Sequence, residues 1–163
     1  MYKRILVAID GSDTSDLALR EAIKLAKEQK AMLRLVHVVD MTPQPYPLPY
    51  MMTEITQSPS PLATQYSLVD YQKALQEGGE NLLATRVTTA REAGLDVDSK
   101  LIIIEMFEKR IGDAIEEQSK QWSADLIVVG THGWRGFQHL MFGSVAEGVI
   151  RVATKPVLLI RGT

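Results

Sequence analysis

Five short apolar runs, at residues 5–9, 32–39, 100–104, 126–129 and 156–160, alternate with four segments of helical period. Most of the runs are rich in Val and Ile and lack polar alternation, the pattern of strands buried on both faces of a parallel sheet. Between them, Leu19, Ala22, Ile23 and Ala26 share one helical face within 14–29. Leu75, Leu82, Leu83, Val87 and Ala90 do so from about 65 to 93. Ile111, Ala114, Ile115 and Trp122 mark a third helix, and Val145, Ala146, Val149, Ile150 and Ala153 a fourth. Gly94 sits where a helix C-terminal cap belongs. Gly78 and Gly79 interrupt the second helical segment at about 1 kcal/mol each relative to Ala, so they mark a place for a break or kink.

Strict β-α alternation implies a parallel sheet with helices on both faces, and right-handed crossovers make it doubly wound. The expected fold is therefore a five-stranded parallel α/β sheet of order 3-2-1-4-5. Ligands of such sheets lie beyond the carboxyl ends of the strands, where strand order reverses. A length of 163 residues, 45% hydrophobic and 23% charged, suits one compact domain over 1–163. The alternation is broken by residues 40–63, which hold Pro43, Pro45, Pro47, Pro49, Pro59 and Pro61, six of the 7 prolines, with Tyr46, Tyr50, Met41, Met51 and Met52. Proline fixes φ and removes donors, so an irregular insertion loop is expected there, a surface excursion or a lid or partner-docking segment.

The composition narrows the function classes. A net charge of -2 offers no basic footprint for nucleic acid. With no Cys, disulfides, thiol catalysis and thiolate metal sites are excluded, and 3 His without ligand-like spacing argue against structural zinc. The first apolar run is too short for a secretory signal, and none approaches the length of about 20 residues that spans a membrane. The expectation is a cytoplasmic protein without membrane insertion.

The strongest chemical signal is Gly130-Thr131-His132-Gly133-Trp134-Arg135-Gly136, followed after six residues by Gly143-Ser144, a spacing of G-x2-G-x9-G-S. It starts directly after the fourth apolar run and ends where the last helix begins. Glycines let main chain approach a phosphate without a Cβ in the way, and successive amides form an anion-binding nest. Ser144 is placed to cap a helix starting at Val145, whose positive end faces the same anion. Arg135 can pair with a phosphate or stand as a surface arginine, and Gly136 and Gly133 also suit an ordinary structural turn. The run is neither a Rossmann fingerprint, which follows the first strand, nor a Walker A loop, which needs Gly-Lys-Ser/Thr. Asp10-Gly11-Ser12 after the first strand offers a carboxylate for a ribose or for Mg²⁺, or a plain turn, with Ser12 or Asp13 as helix cap. The main chain of Val38 can pair with a base edge. His37 reads best as a core histidine with its ring hydrogen-bonded.

These residues together resemble the universal stress protein family over nearly the whole chain. The resemblance is carried by Val7-Ala8-Ile9-Asp10-Gly11-Ser12, His37-Val38-Val39, Gly130-Thr131-His132-Gly133 through Gly143-Ser144-Val145, and Lys155-Pro156-Val157-Leu158. The glycine spacing is that of the family's ATP-binding branch, on the adenine nucleotide alpha-hydrolase-like fold. The resemblance implies ATP as ligand, with or without Mg²⁺, and ADP or AMP as further candidates. It implies that Asp10 contacts the ribose and the Val38 main chain the adenine. Gly130, Gly133, Gly143 and Ser144 would hold the phosphates, with Thr131, His132 and Val145 lining the site. The family often has proline where this chain has Ala8, beside the base.

No general base stands next to the glycine run, so binding with slow or absent hydrolysis is favoured over catalysis. The expected role is a regulatory, stress-response protein whose nucleotide state controls assembly or contact with a protein partner. The alternatives are a slow ATP hydrolase and a nucleotide-free dimerising module. The last strand, Pro156 to Ile160, is expected at a sheet edge, a template for pairing with another chain. In universal stress proteins the equivalent strand mediates dimers, so a homodimer, with higher assembly open, is expected.

Overall fold

The computed structural model describes residues 1–41, 61–105, 108–131 and 143–162, with residues 61–68 as backbone. Its elements run β1 (Arg4–Ala8), α1 (Asp13–Gln29), β2 (Met32–Asp40), α2 (Pro61–Glu92), β3 (Val97–Ile104), α3 (Ile111–Trp122), β4 (Leu126–Gly130), α4 (Ser144–Val152) and β5 (Val157–Ile160). The five strands are parallel, in the order β3-β2-β1-β4-β5. This is the doubly wound sheet that the alternation requires.

The apolar runs are continuous because successive side chains serve two cores. Ile5 and Val7 of β1 join Leu33, Leu35 and Val128 under α1 and α2, while Leu6 and Ala8 join Val36, Ile127, Ile115 and Val149 under α3 and α4. The central strands are thus sealed on both faces. The edge strands are not: all four residues of β5 are half-buried, and β3 is buried only at its two ends, Val97 and Ile104. That is why the apolar pattern finds only 100–104 where β3 spans Val97–Ile104. Asp98 and Ser99 are polar positions that an edge tolerates, and Asp98 accepts a bidentate pair from Arg34 on β2 at 2.7 and 2.6 Å. The guanidinium of Arg34 lies 4.9 Å from the Trp122 ring centroid and that of Arg4 5.8 Å, bracing the amino-terminal end of the sheet.

Two expectations about α2 are corrected. It starts at Pro61 and not near residue 65, because proline's fixed φ and missing donor suit the first helical position. The insertion therefore ends sooner than residue 63, and its residues 42–60 lie outside the described ones. The helix also runs unbroken through Gly78 and Gly79. A Cβ at Gly79 would meet Leu101 Cδ1 at 2.7 Å, His37 Cδ2 at 2.8 Å and Val39 Cγ2 at 3.1 Å, so the glycine lets α2 lie directly on β2 and β3. Gly94, at φ +82°, terminates the helix as expected and donates its amide to the Arg91 carbonyl at 2.8 Å.

On the other face α3 and α4 cross at Gly112 and Gly148. A Cβ on Gly112 would fall 2.6 Å from the Gly148 carbonyl carbon. This close crossing sets the amino-terminal turns of both helices beside each other at the carboxyl edge of the sheet.

Candidate functional site at the carboxyl edge

β1 and β4 are neighbours, but β1 feeds α1 on one face and β4 feeds α4 on the other, so strand order reverses between them. Around that point lie the ends of β1, β2 and β4 and the tip of α4.

β1 ends first. Its pairing with β2 runs to Ala8 opposite Val36, and one last bond links the Ile9 amide to the Val36 carbonyl at 2.9 Å. The Ile9 carbonyl accepts from His37 Nδ1 at 2.8 Å. A carbonyl only accepts, so Nδ1 carries the proton, and His37 is the hydrogen-bonded structural histidine that was expected. In a parallel strand alternate residues turn their peptide groups to the same neighbour. Met32 and Val36 face β1, and Leu33 and Met41 face β3. Val38 therefore turns its amide and carbonyl toward the β1 side, beyond the point where β1 has left the sheet. Ala8 is 8% exposed and packs with Val36 on the side of α3 and α4.

Asp10 organises the turn into α1. Its Oδ1 accepts the Ser12 amide at 2.9 Å and the Ser12 hydroxyl at 2.6 Å, and Ser12 Oγ accepts the Ser15 amide at 3.2 Å as the helix cap. Asp10 thus has a structural task as well as a position at the strand end. Among the described residues no group of three or more His, Asp or Glu gathers in a way that would hold a metal ion.

Gly130 ends β4 under the start of α1. A Cβ there would lie 3.0 Å from the carbonyl group of Thr14 and 3.2 Å from the Ser15 amide. Its lack of a side chain is needed for packing whatever it binds. Thr131 is buried, donates its amide to the Ile160 carbonyl of β5 at 2.8 Å, and accepts the Gly143 amide at its carbonyl at 2.7 Å. The two ends of the glycine run are so tied together at its base. His132, Gly133, Arg135 and Gly136 lie outside the described residues.

The cap of α4 is corrected. Gly143, not Ser144, is the N-cap, and the helix begins at Ser144 with no side-chain cap. The Gly143 carbonyl accepts the first helical bond from the Glu147 amide at 2.9 Å, while its own amide is committed to Thr131. The amides of Ser144, Val145 and Ala146 precede that first helical bond, so they are the donors this tip presents to an anion.

A cleft of about 730 Å³ opens at this edge, a size typical of small-molecule sites. Ser144 and Val145 line it on one side, Arg110, Gly112 and Asp113 of the α3 tip on another, and Asp40 at the end of β2 closes it. Among the described residues, Ala8, Asp10, Val38, Gly130 and Thr131 stand at the strand ends without lining this cleft. The cations on its wall differ. Lys109 is 2.7 Å from Glu117, whose carboxylate holds the ammonium above its ordinary range, and Arg151 pairs with Glu147 at 2.7 Å. The side chain of Arg110 has no hydrogen-bond or ion-pair partner among the described residues. Sequence reasoning missed the contribution of α3 altogether. The one available signal was a cation at the position before Ile111, where a capping side chain belongs.

A five-stranded parallel sheet of order β3-β2-β1-β4-β5 with helices on both faces defines the class of doubly wound α/β proteins. The family model described as "Universal stress protein family" matches residues 1–161, and the chain belongs to that family. It is 33% identical to a universal stress protein of Methanocaldococcus jannaschii over 161 residues, 99% of this chain and 83% of that one. It is 31% identical to the universal stress protein YxiE of Bacillus subtilis, covering 99% of this chain and 100% of that one. The structure is similar to that of the universal stress protein from Archaeoglobus fulgidus in complex with dAMP, at a TM-score of 0.63 and 25% identity, covering 98% of each chain. Among the described residues no helix is long and apolar enough to cross a membrane.

Proposed function

We propose that this chain is an ATP-binding regulatory protein of the stress response, acting in the cytoplasm. Its nucleotide state controls its assembly or its contact with a protein partner. The observation that carries the reading is the α4 tip. Three main-chain donors, at Ser144, Val145 and Ala146, precede the helical ladder, and no side chain among the described residues caps them. An anionic group supplies the missing acceptor, and the aligned helix favours its charge. The peptide groups of Val38 suit the edge of an adenine, and the Archaeoglobus relative is described with the adenine nucleotide dAMP. The Asp10 carboxylate, at the end of β1, is the group we assign to a ribose hydroxyl. It is a meagre magnesium site by itself, since Mg²⁺ is held by one or two carboxylates together with phosphate oxygens. A magnesium ion would therefore arrive with the nucleotide. Gly130, Thr131, His132, Gly133, Arg135 and Gly136 are the further residues we assign to the nucleotide, His132, Gly133, Arg135 and Gly136 among them lying outside the described residues.

β5 is the edge of the sheet, with half-buried Val157, Leu158, Leu159 and Ile160. An edge of this kind suits pairing with a second copy. The Thr131 peptide connects the α4 cap to the last residue of β5 through two hydrogen bonds, which gives nucleotide binding a short route to that edge. Titration with ATP, followed by size-exclusion chromatography with and without the nucleotide, tests the reading. Micromolar or tighter binding with a change in assembly is expected. A protein that binds no adenine nucleotide would refute the first half, and identical elution in both conditions the second.

A further inference from the structure

Arg110 is at odds with its own position. It is the N-cap of α3, at φ -84° and ψ 155°, and makes no side-chain cap bond. Ser, Thr, Asp and Asn are the residues that cap, because they accept from the first amides, whereas a guanidinium only donates. A cation at the positive end of a helix also opposes the helix dipole. The neighbouring Lys109 is neutralised by Glu117 and Glu108, at 2.7 and 3.5 Å, but Arg110 has no such partner among the described residues. Its side chain lines the same cleft as Ser144 and Val145. Arg110 is exposed, so water hydrates its charge in the free protein and its guanidinium is available to an anion entering the cleft.

We infer that Arg110 is a specificity-determining residue that pairs with the outer phosphates of a nucleotide seated on the α4 tip, selecting triphosphate and diphosphate over monophosphate. The inference rests on the nucleotide reading of this cleft and deepens it. An arginine fork gives a phosphate two parallel, charge-assisted hydrogen bonds, which a helix tip cannot duplicate from the opposite wall. The innermost phosphate, next to the ribose, lies closer to the strand ends, so the guanidinium acts on the phosphates beyond it.

The test is a calorimetric binding series with ATP, ADP, AMP and adenosine, using the full chain and its R110Q and R110K variants, with melting temperatures for each. Wild type is expected to bind ATP more tightly than AMP. R110Q should lose about tenfold in ATP affinity, the scale of one charged contact, with AMP and adenosine affinities unchanged and no loss of melting temperature. R110K should keep part of the preference. Equal loss for all four ligands, or none, overturns the role of Arg110 while leaving the nucleotide site standing. Failure of wild type to bind any of the four removes the site reading itself, and this inference with it. Should R110Q fail to fold, the ATP and AMP affinities of R110K against wild type decide. There, a loss of ATP affinity in R110K with AMP affinity unchanged supports the role of Arg110, and unchanged or equally reduced affinities for the two overturn it.

Discussion

The Gly143 amide donates to the Thr131 carbonyl at 2.7 Å, across a segment eleven residues long, while the Thr131 amide donates to Ile160 at 2.8 Å. One residue therefore ties the cap of α4 to the edge strand of the sheet. The cap itself carries no side chain, which leaves the helix tip open.

Gly143→Asp separates stability from binding at this tip. Gly143 already has the extended φ and ψ of an N-cap, -63° and 154°, which an aspartate adopts without strain. A carboxylate there accepts from the tip amides and gains about a few tenths of a kcal/mol over glycine. It also occupies the donors a phosphate would use and repels it. The melting temperature should hold or rise slightly while ATP affinity falls at least about tenfold. Thermal unfolding and calorimetry on the same sample check both. Gly130 is the poorer target, because a side chain there displaces the start of α1.

The two glycines of α2 should respond with opposite signs to alanine. A Cβ at Gly78 would meet nothing within 4 Å, so Gly78→Ala gains about 0.5–1 kcal/mol from helix propensity. Gly79→Ala pushes against Val39, which is stiff, and against the His37 ring, which its bond to Ile9 holds in place. Overpacking of about 1–3 kcal/mol outweighs the same propensity gain. Urea unfolding of the two variants reads the difference directly.

The crossing of α3 and α4 makes a second asymmetric pair. Gly112→Ala drives a methyl to 2.6 Å from main chain that cannot yield, whereas a Cβ on Gly148 would meet nothing closer than 3.5 Å. Gly112→Ala should cost about 1–3 kcal/mol or more, and Gly148→Ala should be close to neutral. Because Gly112 and Ser144 share the cleft, Gly112→Ala should also weaken ATP binding.

Acid should weaken the fold through Glu116. Burial pushes this carboxyl up. The Thr154 hydroxyl, 2.6 Å from Oε1, with Lys120 and the Thr154 amide, outweighs burial and holds it below its ordinary range. A carboxyl lowered in the folded state contributes stability that is present above its unfolded value, near 4.5, and lost as pH falls through the lower folded value. Asp125, held low chiefly by the Lys3 amide against its own burial, acts in the same direction. Glu116→Gln should therefore be less stable than wild type at pH 7, and the gap should narrow below pH 4.5. Chemical unfolding across that range measures it. Since Thr154 begins the turn from α4 to β5, the variant should also loosen the edge strand, which amide exchange at residues 157–160 reports.

Much of the architecture was legible because it repeats locally. Apolar runs separated by helical period led to the strand order, and the glycine spacing with its resemblance led to the family. Misreadings fell where a residue's role depends on a distant neighbour. Strand β3 looked shorter than it is because an edge tolerates the polar pair Asp98 and Ser99. Gly79 read as a helix breaker because nothing local says that a sheet lies against it. Ser144 read as a cap because its type suits capping, whereas the bond from Gly143 to Thr131 places the cap one residue earlier.

The sequence by itself determined the alternation of strands and helices, the reversal point that follows from it, and the presence of a glycine run before the last helix. Those are properties of periodicity and residue type, which act over one or two turns of chain. Tertiary structure alone decided that Gly130 serves the packing of α1, that Thr131 joins the α4 cap to β5, and that Arg110 of α3 shares a cleft with the α4 tip. Each of these depends on main chain from segments far apart in sequence approaching within a few ångströms, a distance set by how the helices pack on the sheet.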